Sequence, residues 1–316
     1  MKKALVIGFD NYPNCRLNGC INDAEKFRNI VSRNEDSSKN FDVKLITDEN
    51  NKIKKSQLKK EIEFLFKDQA ETVLLYFSGH GTINSTGGYI VTSYDNDGEF
   101  EEFSMDEILK LANDSKATNK VIILDCCFSG AFGSPKVSKG NLTQINEGVT
   151  ILTASRDNES AMETNGQGVF TSLLLQGLNG AATDLMGNIT LASLYSFVDS
   201  ALGLWDQRPI FKTNTSRFFP IRKVKPPIDI SIIRDLTTYF ENMDYEFKLN
   251  PTYEYTESVA KKENVAIFKK LQKLVSVGLV TPVGEEHMYF AAMNSKSCKL
   301  TTLGKRYWIL AESDRI

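Results

Sequence analysis

Five short apolar runs, rich in β-branched residues, constrain the fold of this 316-residue chain more than any other feature. The runs are ALVIGF (4–9), VKLIT (43–47), VLLYFS (73–78), VIILD (121–125) and VTILTAS (149–155). Continuous runs of this kind suit strands that are buried on both faces, as in a parallel sheet covered by helices. The segments between them carry apolar residues at the helical period of 3.6. The sequence therefore predicts an α/β fold with a mainly parallel sheet flanked by helices.

A second, smaller domain is expected at the C-terminal end. The Pro226-Pro227 pair forbids helix and favours an extended linker. We therefore predict a first domain over residues 1–222, a linker over 223–227 and a second domain over 228–316. In the second domain, predicted helices at 232–243 and 264–278 are followed by short strands within 278–300 and a last helix. That order suggests a winged helix.

Charge and cysteine content argue against several classes of protein. A formal net charge of −2 gives no field that demands nucleic acid or an anionic membrane. The apolar run after the N-terminal MKK is too short for a signal peptide, and no run approaches the roughly 18 apolar residues of a membrane span. Five cysteines, including the adjacent Cys126 and Cys127, favour reduced thiols, and no CxxC spacing indicates zinc. We expect a soluble, cytoplasmic protein.

A histidine lies at the end of the third predicted strand, in the glycine-rich turn YFSGHG (76–81). Functional groups of open α/β sheets gather at the carboxyl ends of the strands, and glycines allow the backbone to approach a substrate closely. Considered alone, His80 is more simply a loop residue at a strand end. A second motif changes that interpretation.

The fourth predicted strand runs into VIILDCCFSG (121–130), which places thiols at the same rim of the sheet. A lone cysteine there is usually a small buried hydrophobe. Thiol catalysis, however, needs a thiolate nucleophile with an imidazole within reach to protonate the leaving amine. The combination of the two motifs therefore indicates a catalytic site.

Together, SGHG and DCCFSG resemble the motifs of caspase-like cysteine peptidases, in particular metacaspases and their bacterial relatives. The family pattern places the second motif about fifty residues after the first, and here Cys127 follows His80 by 47 residues. The resemblance implies a dyad of His80 and Cys127, with Cys127 rather than Cys126 as the nucleophile. It also implies an oxyanion hole made by the backbone N–H groups of Gly81 and Cys127. No third residue that would orient the histidine is evident.

Further matches extend over most of residues 1–220 and imply a substrate pocket. In LNGCINDA (17–24), Asp23 matches a pocket residue of metacaspases, together with Ser78 and Asp125. Two carboxylates favour an Arg or Lys side chain before the scissile bond, the P1 position, and disfavour Asp. Ser155 could also line the cleft. Asp23 could instead interact with a helix dipole, and Ser155 could be a turn or capping residue.

An acidic segment at residues 95–102 is a candidate calcium site. Asp95, Asp97 and Glu99 in DNDGEFEE (95–102) could supply oxygen ligands to calcium, but a surface turn is the simpler interpretation, so we predict no metal and no cofactor.

Residues 130–148 have the composition of an exposed loop. With a basic P1 preference, Lys136 and Lys139 in that loop are candidate self-cleavage sites.

The predicted second domain has two candidate partners. Lys269, Lys270 and Lys273 could contact DNA phosphates as the second helix of a winged helix does. Residues 226–316 carry about equal numbers of acidic and basic residues, which favours a solvated helix face and a regulatory protein partner. For bacterial relatives with appended domains, the resemblance also implies a role in stress or anti-phage defence.

Two alternatives to a peptidase stay open. One is a catalytically silent caspase-like scaffold that presents its C-terminal domain to DNA or to a protein. The other is a receiver-like regulator with a winged helix, which explains neither SGHG nor DCCFSG. The predicted partner of a peptidase is a protein or peptide substrate, and no membrane is expected.

Overall fold

The computed structural model describes residues 1–85, 87–96, 99–126, 144–154, 163–164, 167–202 and 208–316. Contacts divide the chain into two compact units. The larger comprises residues 1–183 and 187–225, and the smaller comprises residues 184–186 and 226–316. Within the described ranges, no helix has both the length and the apolar character needed to cross a membrane.

A six-stranded sheet forms the centre of the larger unit. The strands of this unit are β1 (Lys2–Gly8), β2 (Asp42–Thr47), β3 (Thr72–Ser78), β4 (Gly81–Asn84), β5 (Gly87–Asn96), β6 (Glu99–Ser104), β7 (Asn119–Asp125), β8 (Val149–Thr153), β9 (Glu163–Thr164), β10 (Gln167–Gly168), β11 (Asn188–Ile189), β12 (Ile210–Asn214) and β13 (Arg222–Lys223). The central sheet has the order β12-β8-β7-β3-β1-β2, and only β12 is antiparallel to its neighbour. Its five parallel strands are the five apolar runs, so the predicted α/β class is confirmed.

Helices cover both faces of this sheet. They are α1 (Cys20–Ser32), α2 (Lys55–Lys67), α3 (Met105–Asp114), α4 (Val169–Gln176) and α5 (Leu191–Ala201). In β3, which is buried throughout, Leu75 and Phe77 join one core with α2 and α3. Leu74 and Tyr76 point to the opposite face and join a second core with α1, α4 and α5. This double burial is the reason why the strands are continuously apolar.

A small antiparallel sheet, β4-β5-β6, follows the SGHG motif directly. The sequence does not predict this small sheet, because residues 81–104 combine glycines and acidic residues with few continuous apolar positions. The backbone of Val91 in β5 donates a hydrogen bond to the His80 carbonyl over 2.9 Å. The small sheet therefore supports the histidine turn.

The smaller unit has its own core and a three-stranded antiparallel sheet. Its elements are α6 (Ile230–Arg234), α7 (Leu236–Tyr239), β14 (Glu246–Lys248), α8 (Lys262–Ser276), β15 (Val280–Val283), α9 (Met288–Met293), β16 (Ser297–Leu300) and α10 (Thr302–Glu312). The sheet order is β14-β16-β15. The helix predicted at 232–243 is divided into α6 and α7, and α9 interrupts the region predicted to hold short strands. Met288, Ala291 and Ala292 are buried at helical spacing, which explains α9. The winged helix stays a prediction.

Candidate functional site

Three neighbouring strands of the central sheet end at the same level. In the register of the sheet, Gly8 at the end of β1 is paired with Ser78 at the end of β3, and Ser78 is paired with Asp125 at the end of β7. Ser78 and Asp125 are buried. The sequence motifs SGHG and DCCFSG therefore begin side by side at one rim of the sheet, because parallel strands present their carboxyl ends together.

His80 is anchored at this rim by Tyr12, from the segment between β1 and α1. The His80 backbone N–H donates to Tyr12 Oη over 3.1 Å, and Tyr12 Oη donates to the Val91 carbonyl over 3.1 Å. The two aromatic rings meet edge to face with centroids 4.6 Å apart. Burial raises the pKa of Tyr12 well above its usual value, so its hydroxyl stays protonated and can keep donating.

The imidazole of His80 has a defined proton position. Nε2 lies 2.7 Å from the backbone carbonyl oxygen of Cys15. A carbonyl oxygen only accepts hydrogen bonds, so Nε2 carries hydrogen and, in the neutral ring, Nδ1 is the basic nitrogen. No group that would orient the histidine is evident in the sequence. The structure supplies a backbone carbonyl, which leaves no signature in side-chain identity.

The segment that presents Tyr12 and Cys15 is itself held by two buried carboxylates. Asp48 accepts hydrogen bonds from the backbone N–H groups of Asp10, at 3.0 Å, and Asn11, at 2.8 Å. The Asp10 carboxylate accepts from the N–H of Cys20, the first residue of α1, at 2.9 Å. Such a carboxylate also interacts favourably with the helix dipole. No motif in the sequence indicates a role for Asp10, Asp48 or Tyr12.

Close approach explains one of the glycines of SGHG. A Cβ atom at Gly79 would lie 2.5 Å from Tyr12 Oη, so the bond between Tyr12 and His80 requires glycine there. Gly81, predicted to contribute to the oxyanion hole, is buried and starts β4 opposite Ile90. His80 thus lies between Gly79, which leaves room for the Tyr12 hydroxyl, and Gly81, whose backbone is held in β4.

Asp23 of α1 and Asp125 of β7, here called the acidic pair, converge on the start of α4. The Gly168 N–H donates to Asp23 Oδ2 over 2.9 Å. A Cβ atom at Gly168 would lie 2.5 Å from Asp125 Oδ2 and 3.2 Å from Asp23 Oδ2. The exposed fractions of Asp23 and Asp125 are 1% and 5%. The structure thus brings together the two carboxylates that the resemblance assigns to a substrate pocket.

Two buried hydroxyls lie behind the acidic pair. Thr171 Oγ1 donates to Asp125 Oδ2 over 2.7 Å, and Tyr76 Oη lies 2.6 Å from Thr171 Oγ1. Burial, and then the charges of Asp125 and Asp23, raise the pKa of Tyr76 well above its usual value. Its hydroxyl therefore remains a hydrogen-bond donor. No motif in the sequence indicates this role for Thr171.

Several predicted residues lie outside the part of the chain that the structure describes. They are Cys127, Lys136, Lys139, Ser155 and Asp97. Asp95 and Glu99 are described by their backbone alone, in β5 and β6. Among the described residues, no three His, Cys, Asp or Glu side chains gather to hold a metal ion. The expectation that no calcium is bound therefore stays a prediction.

Four of the five cysteines lie in the part of the chain that the structure describes. Cys20, Cys126 and Cys298 are buried, and Cys15 is exposed. Cys126 directly follows Asp125 at the end of β7 and belongs to the core that faces α2 and α3. Its side chain thus has a packing role, which agrees with the choice of the neighbouring Cys127 as the candidate nucleophile.

Known structures share this fold. Caspase-1 from Spodoptera frugiperda matches 70% of this chain and 92% of its own, with a TM-score of 0.53 and 13% sequence identity. Protein GSU0716 from Geobacter sulfurreducens matches 71% of this chain and 99% of its own, with a TM-score of 0.50 and 17% identity. At such identities the similarity concerns the fold alone, and it confirms the caspase-like arrangement of sheet and helices.

Sequence comparison extends the similarity from fold to family. No match is found among curated proteins. The family model described as caspase domain matches residues 1–220, which include every strand of the central sheet and both motifs. The chain therefore belongs to the caspase-domain family of cysteine peptidases.

Proposed function

We propose that this protein is a cysteine endopeptidase in which Cys127 is the nucleophile and His80 the acid–base partner, cleaving after Arg or Lys. The observation that carries the proposal is the setting of His80. Its imidazole is bound through Nε2 to the Cys15 carbonyl, at the same rim where β7 leads into Cys126 and Cys127. A histidine with one nitrogen fixed as a donor has the other available as a base.

The proposed reaction follows acyl transfer to a thiol. His80 Nδ1 takes the thiol proton, and Cys127 sulfur bonds to the scissile carbonyl carbon. The resulting oxyanion accepts hydrogen bonds from the N–H groups of Gly81 and Cys127. The carbon–nitrogen bond then breaks, and His80 returns the proton to the leaving amine. Water hydrolyses the thioester with the same histidine as base and releases the enzyme.

The acidic pair supports the proposed specificity. Asp23 and Asp125 lie close together at the rim, with Ser78 beside Asp125 in the sheet register. Two buried carboxylates bind a cationic side chain favourably and repel a carboxylate. Cleavage after Asp is therefore disfavoured. We include Ser155 in the same pocket because of the family resemblance.

The test compares fluorogenic peptides ending in Arg, Lys or Asp, with and without calcium. We expect hydrolysis after Arg and Lys, and a loss of at least about 10³-fold in kcat/KM in Cys127→Ala. Cys126→Ala is the matched control, since it removes the adjacent buried thiol and should keep most of the activity. A preference for Asp would contradict the role of the acidic pair. Silence of the parent protein under every condition would instead indicate a missing activator or the catalytically silent scaffold.

Self-cleavage is tested with the same purified proteins, by the size of the fragments that they form. Lys136 and Lys139 follow the nucleophile in sequence, and a protease with basic P1 preference can cut there. We expect two fragments from the parent protein and none from Cys127→Ala. A Lys136→Ala/Lys139→Ala protein that is still cut in the same region would refute these two sites.

The smaller unit supports a regulatory role better than a DNA-binding role. Of the three lysines predicted to contact phosphates, Lys270 is paired with Asp235 over 2.7 Å, and Lys269 lies over the Tyr255 ring at 6.0 Å. Intramolecular partners of this kind reduce the positive charge available to a nucleic acid. We therefore propose a protein partner for this unit. A role in bacterial stress or anti-phage defence rests on the family resemblance.

A further inference from the structure

A line of buried hydroxyls joins three elements behind the acidic pair. It runs from Tyr76 in β3 through Thr171 in α4 to Asp125 at the end of β7. The single Thr171 hydrogen goes to the Asp125 carboxylate, so the bond between the two hydroxyls has Tyr76 as its donor. Tyr76 and Thr171 are completely buried. This line, Tyr76–Thr171–Asp125, is called the hydroxyl relay below.

Packing alone does not account for the relay. The Tyr76 ring is already fixed by stacking on Phe27, with centroids 4.2 Å apart and an interplanar angle of 15°. Around Thr171, the neighbours Phe170 and Leu174 belong to an apolar core in which valine would have the same shape. A buried hydroxyl costs free energy unless it is hydrogen-bonded. What the Thr171 hydroxyl adds is a fixed direction for the Asp125 carboxylate.

The same turn of α4 also holds the other member of the acidic pair. Gly168, immediately before the helix, donates its N–H to Asp23, and Thr171, in the first turn, donates its hydroxyl to Asp125. The start of α4 therefore sets the separation and orientation of both carboxylates. A planar guanidinium makes two directed hydrogen bonds to carboxylates, whereas an ammonium acts as a point charge. Fixed carboxylates thus matter more for Arg than for Lys.

We propose that Thr171, supported by Tyr76, is a positioning residue that makes the acidic pair selective for Arg over Lys. The inference rests on the proposed function, since it assumes that the acidic pair receives the P1 side chain. Thr171 does not touch the substrate. It acts through Asp125, and a change that removes its hydroxyl but keeps its shape takes away this one hydrogen bond to the carboxylate without opening a cavity.

The test measures peptide binding to the full-length Cys127→Ala protein by calorimetry, so that turnover is not required. Three matched peptides end in Arg, in Lys or in citrulline, which has the shape of Arg without its charge. Adding Thr171→Val should weaken Arg binding about 10-fold, equivalent to one lost hydrogen bond to a charged group. Lys binding should fall by less than about 3-fold, and citrulline binding should not change. The ratio of Arg to Lys affinity is the decisive quantity.

Two further variants separate positioning from folding. Thr171→Ser keeps the hydroxyl and should restore the Arg preference, even if the lost methyl group lowers the thermal stability. Tyr76→Phe removes only the donor behind Thr171 and should reduce Arg binding by about 2-fold to 3-fold. Thermal unfolding of each variant shows whether it is folded.

The outcomes distinguish this inference from the proposed function. If the Cys127→Ala protein binds Arg in preference to citrulline, and Thr171→Val keeps the full ratio of Arg to Lys affinity, the relay is refuted and the acidic pocket survives. If Thr171→Val is unfolded, the other two variants decide. An Arg-to-Lys affinity ratio that is lower in Tyr76→Phe than in Thr171→Ser supports the relay, and a ratio that is equal or higher in Tyr76→Phe refutes it. If the Cys127→Ala protein shows no preference for a cationic peptide, both the specificity in the proposed function and this inference fall.

Discussion

At the scale of single residues, Tyr12 joins the turn that carries His80 to β5 of the small sheet. Its hydroxyl accepts from the His80 backbone and donates to Val91, while its ring packs against the imidazole. The raised pKa of Tyr12 keeps this hydroxyl protonated throughout the neutral range. The hydrogen bond between the Tyr12 hydroxyl and the His80 backbone is therefore maintained throughout that range.

Tyr12→Phe should separate orientation from packing. The variant keeps the ring but removes the hydroxyl that pairs with the part-buried His80 N–H and the buried Val91 carbonyl. We expect a loss of about 1–3 kcal/mol in the free energy of unfolding, and a fall of about 10-fold in kcat with little change in KM. Urea unfolding and peptide kinetics measure the two effects.

The matched control for that change is Tyr255→Phe, which removes the hydroxyl of an exposed tyrosine in the smaller unit. It should alter neither quantity. An unchanged kcat in a stable Tyr12→Phe protein would show that the hydroxyl does not position His80.

At the scale of elements, the contact between β1 and α1 sets the position of the segment that carries Tyr12 and Cys15. Gly8, the last residue of β1, is so close to α1 that a Cβ atom would lie 2.3 Å from the Cys20 carbonyl oxygen and 2.7 Å from Ala24 Cβ. Backbone atoms cannot give way as a flexible side chain can. The end of β1 and the start of α1 can therefore approach this closely only because Gly8 has no side chain.

Gly8→Ala should consequently push α1 away from the sheet. We expect a loss of about 1–3 kcal/mol or more in the free energy of unfolding from overpacking, together with reduced peptide binding because Asp23 moves with α1. Gly180→Ala is the control in the same unit, because its site is open but has a φ of 121°, so it reports backbone strain alone. Equal losses in the two variants would argue against the close contact.

Elements of the sheet and its covering helices follow directly from the sequence. Runs such as VIILD predict buried parallel strands, and MDEILKLAND predicts α3 with its observed ends. Short elements whose stability depends on their neighbours are not predicted. The β4-β5-β6 sheet is one example, since its residues have weak alternation, and α9 is another, because its six residues form a helix only against the core of the smaller unit.

At the scale of the whole molecule, the two units have separate cores, and Cys298 lies at the centre of the smaller one. It sits on β16, the middle strand, where burial raises the pKa of its thiol to about 12 from 9.0. The unfolded chain releases this proton above about pH 9, whereas the folded chain retains it. The contribution of Cys298 to stability is therefore complete below pH 9 and is lost as the pH rises towards 12.

The free energy of unfolding of the smaller unit should show this loss. Between pH 8 and pH 10.5 we expect the parent protein to lose about 2 kcal/mol more than Cys298→Ala, at 1.36 kcal/mol for each pH unit above 9. Denaturant unfolding followed by circular dichroism at both pH values measures the difference. Cys15→Ala is the control, because Cys15 is exposed and should leave the pH dependence as it is. Parallel curves for the parent and Cys298→Ala proteins would contradict the prediction.

The sequence by itself determines the α/β class, the positions of the main strands along the chain and the motifs that identify the family, because apolar periodicity and short motifs are local properties. It also indicates His80, Asp23 and Asp125 as candidate site residues. Only the tertiary structure decides what surrounds them. The Cys15 carbonyl at His80, the Tyr12 hydroxyl and the hydroxyl relay behind Asp125 join residues that are far apart in the chain. Such contacts depend on strand register and helix packing, and backbone groups, which every residue carries, leave no mark in the sequence.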